Sequence, residues 1–142
     1  MSSTFPEQEN TALARRWFEE VWNKGRSDAI DEMFAPDGLS HGLEAEPIRG
    51  PAGFKPFHNR FRGAFPDIKV DIQDAFASGD KVALRWSVRM THTGDHLGIK
   101  ATGNPAGVTG MSVLRIRNGK IVEAWNNWDV LGLYQQLGLV KL

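Results

Sequence analysis

Gly107 to Asp129 reads GVTGMSVLRIRNGKIVEAWNNWD. Two runs of strand character flank Asn118-Gly119, a strong short-range hairpin signal. A two-residue turn there sets Lys120 opposite Arg117 and Trp125 opposite Ser112. A three-residue turn, with glycine in a left-handed bulge, sets Lys120 opposite Ile116 and Ala124 opposite Ser112. Side chains alternate along a strand, so one residue of slip turns all of them to the other face. We read the three-residue turn. It puts Leu114, Ile116, Val122, Ala124 and Trp128 on one face with Ser112 and Asn126. The other face holds Arg115, Glu123 and Asn127, with Met111, Val113 and Trp125. Buried amides, indoles and carboxylates are costly unless satisfied, so the end of the second strand suits a cavity wall better than a core.

Before the hairpin the period changes once. Thr4-x-x-Glu7 has the form of a capping box. A helix is predicted from Glu7 to Lys24, with Leu13, Trp17, Phe18, Val21 and Trp22 on its apolar side and Gly25 as its stop. Ser27 is the expected cap of a short helix through Ile30, Met33 and Phe34, stopped by Pro36. Leu39-Ser40-His41 reads as a short strand. Gly50-Pro51 opens a third helix, in which Phe54, Phe57, Phe61 and Phe65 make a ridge. Pro56 predicts a distorted first turn, or a start nearer Pro56. His58 is expected to face solvent. After Pro66 the apolar period is 2: one strand over Ile68, Val70 and Ile72, a turn at Gly79-Asp80, then a long strand from Val82 to His92. Residues 94–106 form a polar loop, and Val130 to Leu137 a short terminal helix ended by Gly138.

Three helices followed by four antiparallel strands in meander order indicate an α+β fold, a curved sheet wrapped over helices with an interior pocket. Trp17, Phe57, Phe61, Trp86, Met90, His41, His92, Ser112, Asn126 and Trp128 are the residues expected around that pocket. The opposite sheet face, with Met111, Val113 and Trp125, is expected to pair with a second copy of the chain as a homodimer.

Composition narrows the function. The 142 residues suit one domain, with residues 1–6 as a flexible tail. Lys plus Arg and Asp plus Glu each number 17, so no basic excess points to nucleic acid or an anionic membrane. The absence of cysteine excludes disulfides, thiolate catalysis and cysteine-bound zinc. No stretch has the roughly 18 apolar residues of a membrane span, and the polar start has no signal-peptide run, so a cytoplasmic location is the expectation. His92-Thr93-Gly94-Asp95-His96 has the residue types of a metal site without a matching partner sequence, and no metal is assigned.

RRWFEEVWNKGRSDAIDEMFAPD, FRGAFPD, GDKVALRWSVRMTHTG, GMSVLRIRNGKIVEAWNNWD and LGLYQQLG follow one another between residues 12 and 138. In order and spacing they resemble the SnoaL-like polyketide (ester) cyclases of the NTF2-like superfamily. The resemblance implies an α+β cone, a homodimer, and a hydrophobic small-molecule substrate. It also implies intramolecular aldol ring closure without metal or cofactor, with a pocket carboxylate as general acid/base. On that resemblance the catalytic aspartate falls at Asn126, and an assisting histidine at Ser112. Asparagine does not take up a proton at neutral pH. A base would then be sought in Asp129, His92 or His41. Asp129 can equally cap the last helix, and His92 can equally be a satisfied core histidine. Three functions stay open: a cofactor-independent enzyme of cyclase, isomerase or hydratase type, a binding module with the same cavity, and a structural dimer.

Overall fold

A computed structural model describes residues 6–141. Thr4 of the expected capping box, and the expected tail except Pro6, lie outside the described residues. Pro6 opens the first helix, and the Glu7 carboxylate accepts from the Gly79 backbone N–H at 2.7 Å.

Helix α1 (Pro6–Arg16) continues without a break as a π-helical segment, Trp17–Asn23. This corrects the uniform α period expected to Lys24. In a π turn each N–H reaches back five residues, as Lys24 does to the Glu19 carbonyl at 2.9 Å. Trp17 and Trp22, five apart, consequently face the same side. Two side chains of the third helix hold the carbonyls at this end. His58 Nε2 donates to Val21 O at 2.6 Å, and Arg62 Nη1 donates to Trp22 O at 3.1 Å.

His58 is therefore buried at 4% exposure, packed 5.1 Å from the Trp22 ring, and not solvent-facing as expected. Burial pushes its pKa down; the bond to Val21 opposes this and the Arg62 charge adds to it. The unfolded ring takes a proton below about pH 6.5 and the folded ring resists, so stability is whole above that pH and falls below it. Urea unfolding at about pH 7.5 and about pH 5.5 should show this loss, and His58→Gln should shrink it. An unchanged pH dependence in His58→Gln would show that the ring is not held neutral.

Helix α2 (Ser27–Met33) starts one residue earlier than its expected cap implied. Arg26 holds the cap position without a side-chain cap bond, its guanidinium being tied to Glu20, Asp28 and Glu32. Phe34 begins strand β1 (Phe34–His41), and a two-residue strand β2 (Ile48–Arg49), unforeseen in the sequence, pairs with it. Helix α3 (Gly50–Ala64) runs through Pro56. Ala52 and Pro56 are both exposed, so the carbonyl that loses its partner faces water. Strands β3 (Lys69–Ser78), β4 (Lys81–Thr91), β5 (Pro105–Arg117) and β6 (Lys120–Trp128) precede helix α4 (Val130–Gln136).

The sheet order is β2-β1-β6-β5-β4-β3. The meander is antiparallel, whereas β1 runs parallel to β6, so the expected antiparallel sheet is mixed at that edge. No helix of the described residues is long and apolar enough to cross a membrane.

The central hairpin corrects the expected turn. Asn118 and Gly119 have φ of 52° and 73°, a two-residue turn of the mirrored kind, and Arg117 pairs with Lys120. The register then shifts: Ile116 faces Ile121, but Arg115 faces Glu123. Val122 is the extra residue of a bulge, and Ile121 takes its expected place in the core at 1% exposure. The bulge restores the parity that the shorter turn would have reversed. Ser112 consequently pairs with Asn126, and both lie on the helix-covered face.

Candidate active site

Between the helices and the sheet lies a cavity with about 730 Å³ of atom-free space, including solvent at its mouth. A concave space lined mainly by apolar and aromatic side chains is the usual form of a small-molecule site. Trp17, Phe57 and Phe61 line it from the helices, and Trp86, Met90 and Trp128 from the sheet. Ser40 and Asn126 are its polar side chains besides the indoles; among the described residues, no Asp, Glu, His, Lys or Arg lines it.

Four side chains form a hydrogen-bonded chain along this wall. Trp86 Nε1 donates to Ser112 Oγ at 3.1 Å, and Ser112 Oγ donates to Asn126 Oδ1 at 2.7 Å. Asn126 Nδ2 donates to His41 O at 2.9 Å and to Ser40 Oγ at 3.1 Å. The His41 carbonyl can only accept, so the amide nitrogen must be the atom beside it; this fixes the amide orientation. An indole can only donate, so the Ser112 hydrogen is left for Asn126. Gly110 makes the first link. A Cβ on it would sit 2.4 Å from the Trp86 ring, so glycine lets the indole lie flat across β5 and reach Ser112.

Ser112 itself does not line the cavity. At 1% exposure it stands behind the wall and positions Asn126. Ser40, which the sequence reading passed over for its neighbour, does line it. Ser40 pairs with Ala124 on the inner face and His41 with Trp125 on the outer.

The three acid/base candidates are placed elsewhere. His41 stacks on Trp125 at 5.9 Å and shares a 2.8 Å contact with Glu123 on the outer face. Asp129 caps α4, accepting from Gly132 N at 2.9 Å, and is exposed. His92 is fully buried against Phe65, 5.3 Å between rings, and outside the cavity lining. Its Nδ1 accepts from the Thr102 backbone N–H at 3.2 Å, and its buried Nε2 has no partner among the described residues. Among the described residues no three His, Asp or Glu side chains cluster as metal ligands.

The model of the SnoaL-like polyketide cyclase family matches residues 12–137. The chain is 30% identical over 129 residues to the aklanonic acid methyl ester cyclase DnrD of Streptomyces peucetius, covering 89% of this chain and 88% of that one. A solved polyketide-cyclase-type protein of Acidithiobacillus ferrooxidans superposes with a TM-score of 0.82 at 31% identity, over 99% of this chain and 100% of the other. A SnoaL-like protein of Jannaschia sp. CCS1 shares the fold, with a TM-score of 0.87 at 20% identity over 99% of both chains.

Proposed function

The chain belongs to the SnoaL-like polyketide cyclase family, and we propose that it encloses a hydrophobic, oxygenated small molecule and promotes aldol-type chemistry at a carbonyl of it. The observation that carries this reading is the polar pair Ser40 and Asn126, fixed by hydrogen bonds in a largely apolar wall. In an intramolecular aldol closure a proton leaves the α-carbon, a carbon–carbon bond forms to the second carbonyl carbon, and the resulting alkoxide takes up a proton. Nothing is oxidised or reduced. Fixed donors stabilise the enolate or alkoxide oxygen, and one such donor is worth about 10²–10³ in rate. The apolar walls hold the reacting carbons together. With an amide where the family resemblance expects a carboxylate, the proton goes to and comes from water or the substrate's own hydroxyls.

Aklanonic acid methyl ester, the substrate in the relative's name, is the probe for this reading. Wild type should bind it and close it at a rate that rises steadily with pH. A bell-shaped profile of kcat/KM would instead reveal a titrating acid and base of the protein. Binding with no turnover at any pH would favour the second reading, a binding protein, which the uncharged wall also suits.

The assembly we propose is a homodimer through the outer sheet face. Phe76, Ala83, Val113 and Trp125 are register partners from β3 to β6 and form a row across the sheet, continued by His41 on β1. Phe76 is 67% exposed and Met111, in the adjoining row, 59%. Charged rows, including Lys81, Arg115 and Glu123, border this apolar strip. An apolar centre with a polar rim is how protein interfaces are built.

A further inference from the structure

The chain from Trp86 to Ser40 has one direction and one loose end. The donors are fixed in turn: indole to Ser112, Ser112 to Asn126, and Asn126 to Ser40. Ser40 Oγ thus accepts, and its own hydrogen has no acceptor among the described residues. The side chain is 3% exposed and lines the cavity. A buried hydroxyl hydrogen needs a partner, and the cavity is where one can come from. Each bond in such a chain polarises the next, which strengthens the terminal donor.

We propose that the Ser40 hydroxyl is the oriented donor that receives a carbonyl oxygen of the ligand, so that the site selects a neutral keto compound over a hydrocarbon of the same shape. The inference rests on the ligand-cavity reading above and adds the residue and the functional group recognised. A neutral acceptor fits because no cation among the described residues lines the wall to compensate a buried anion. Trp128 does not compete for this role, since its Nε1 already donates to Gly42 O at 3.0 Å. Ser112 is a positioning residue: it holds the amide that in turn holds Ser40.

Calorimetric titration with 1-tetralone and with tetralin, its carbonyl-free counterpart, tests this. Wild type should bind 1-tetralone more tightly than tetralin. Ser40→Ala should weaken 1-tetralone about tenfold, the scale of one unmet hydrogen bond, and leave tetralin unchanged. The tetralin affinity also reports that the variant's cavity is intact. Ser112→Ala should act in the same direction on 1-tetralone alone and by less. If wild type binds both and Ser40→Ala changes neither, the donor lies elsewhere, in the Trp17 or Trp22 indole, and the inference is overturned while the cavity reading stands. If Ser40→Ala weakens both ligands equally, Ser40 acts through shape and the inference is again overturned. If wild type binds neither, the cavity reading falls and the inference with it.

Discussion

Asn126→Asp is expected to fold, to hold its new carboxyl group neutral well above the usual aspartate range, and to raise the rate of ring closure. One carboxyl oxygen would replace Oδ1 and keep the bond from Ser112. The other would replace Nδ2, 2.9 Å from the His41 carbonyl. Two acceptors repel at that distance, whereas a protonated carboxyl donates to His41 O. Burial and this bond therefore both favour the neutral acid. The result is an acid/base group in an apolar wall, the kind of catalyst that contributes about 10²–10⁴ in rate. The sign for stability follows from linkage. The folded acid binds its proton more tightly than the unfolded one, so the variant loses stability relative to wild type as pH rises from about 3.9 towards the raised value. Infrared titration of the carboxyl stretch gives its pKa, and turnover of aklanonic acid methyl ester gives the rate. A carboxyl titrating in the ordinary range, or a rate equal to that of wild type, would contradict the assignment of the amide's environment.

The second large effect is expected at Trp125. In the monomer this indole is covered by His41 and lies 5.7 Å from Lys81 Nζ and 5.5 Å from the Arg115 guanidinium. Trp125→Glu leaves two cations beside a carboxylate, so the isolated chain should fold. In the proposed dimer the same carboxylate enters an apolar strip between two sheets. Loss of a central tryptophan costs about 2–4 kcal/mol, and the dimer dissociation constant should rise by a hundredfold or more, about 2.7 kcal/mol. Sedimentation equilibrium of both proteins, with circular dichroism as the control for folding, reads this directly. A wild type that is monomeric at tens of micromolar (roughly the range expected for interfaces of this class), or a variant that associates as tightly as wild type, would rule out the outer face as an interface.

The order of elements, the phenylalanine ridge of α3 and the two faces of β4 are legible because they rest on repeated apolar spacing, which a sequence displays openly. Single-residue events are not. Two adjacent apolar pairs, Trp17-Phe18 and Val21-Trp22, fit an α stripe and a π turn equally well. The expected turn at Asn118-Gly119 is one residue too long, and the faces still come out right because the bulge at Val122 supplies the extra residue. In β1 the three-residue run Leu39-Ser40-His41 carries no alternation that tells its two faces apart. Pairing with β6 sets Ser40 opposite Ala124, inward, and His41 opposite Trp125, outward, so the candidate with the more conspicuous chemistry lies on the opposite side from the one expected. His58 departs from expectation for a different reason: its partner is a backbone carbonyl freed by the π segment, and a carbonyl leaves no mark in a sequence. Asp129 can be read either way, and its bond to Gly132 N settles it as a cap.

The most direct test of the central claim is a crystal structure of the wild-type protein with aklanonic acid methyl ester or a non-reacting analogue. The expected result is the ring system between the helix aromatics and Trp86, with one carbonyl oxygen about 2.6–3.2 Å from Ser40 Oγ. A ligand seated with its carbonyls against His92 or Asp129, or held on the outer sheet face with the cavity unfilled, would contradict it.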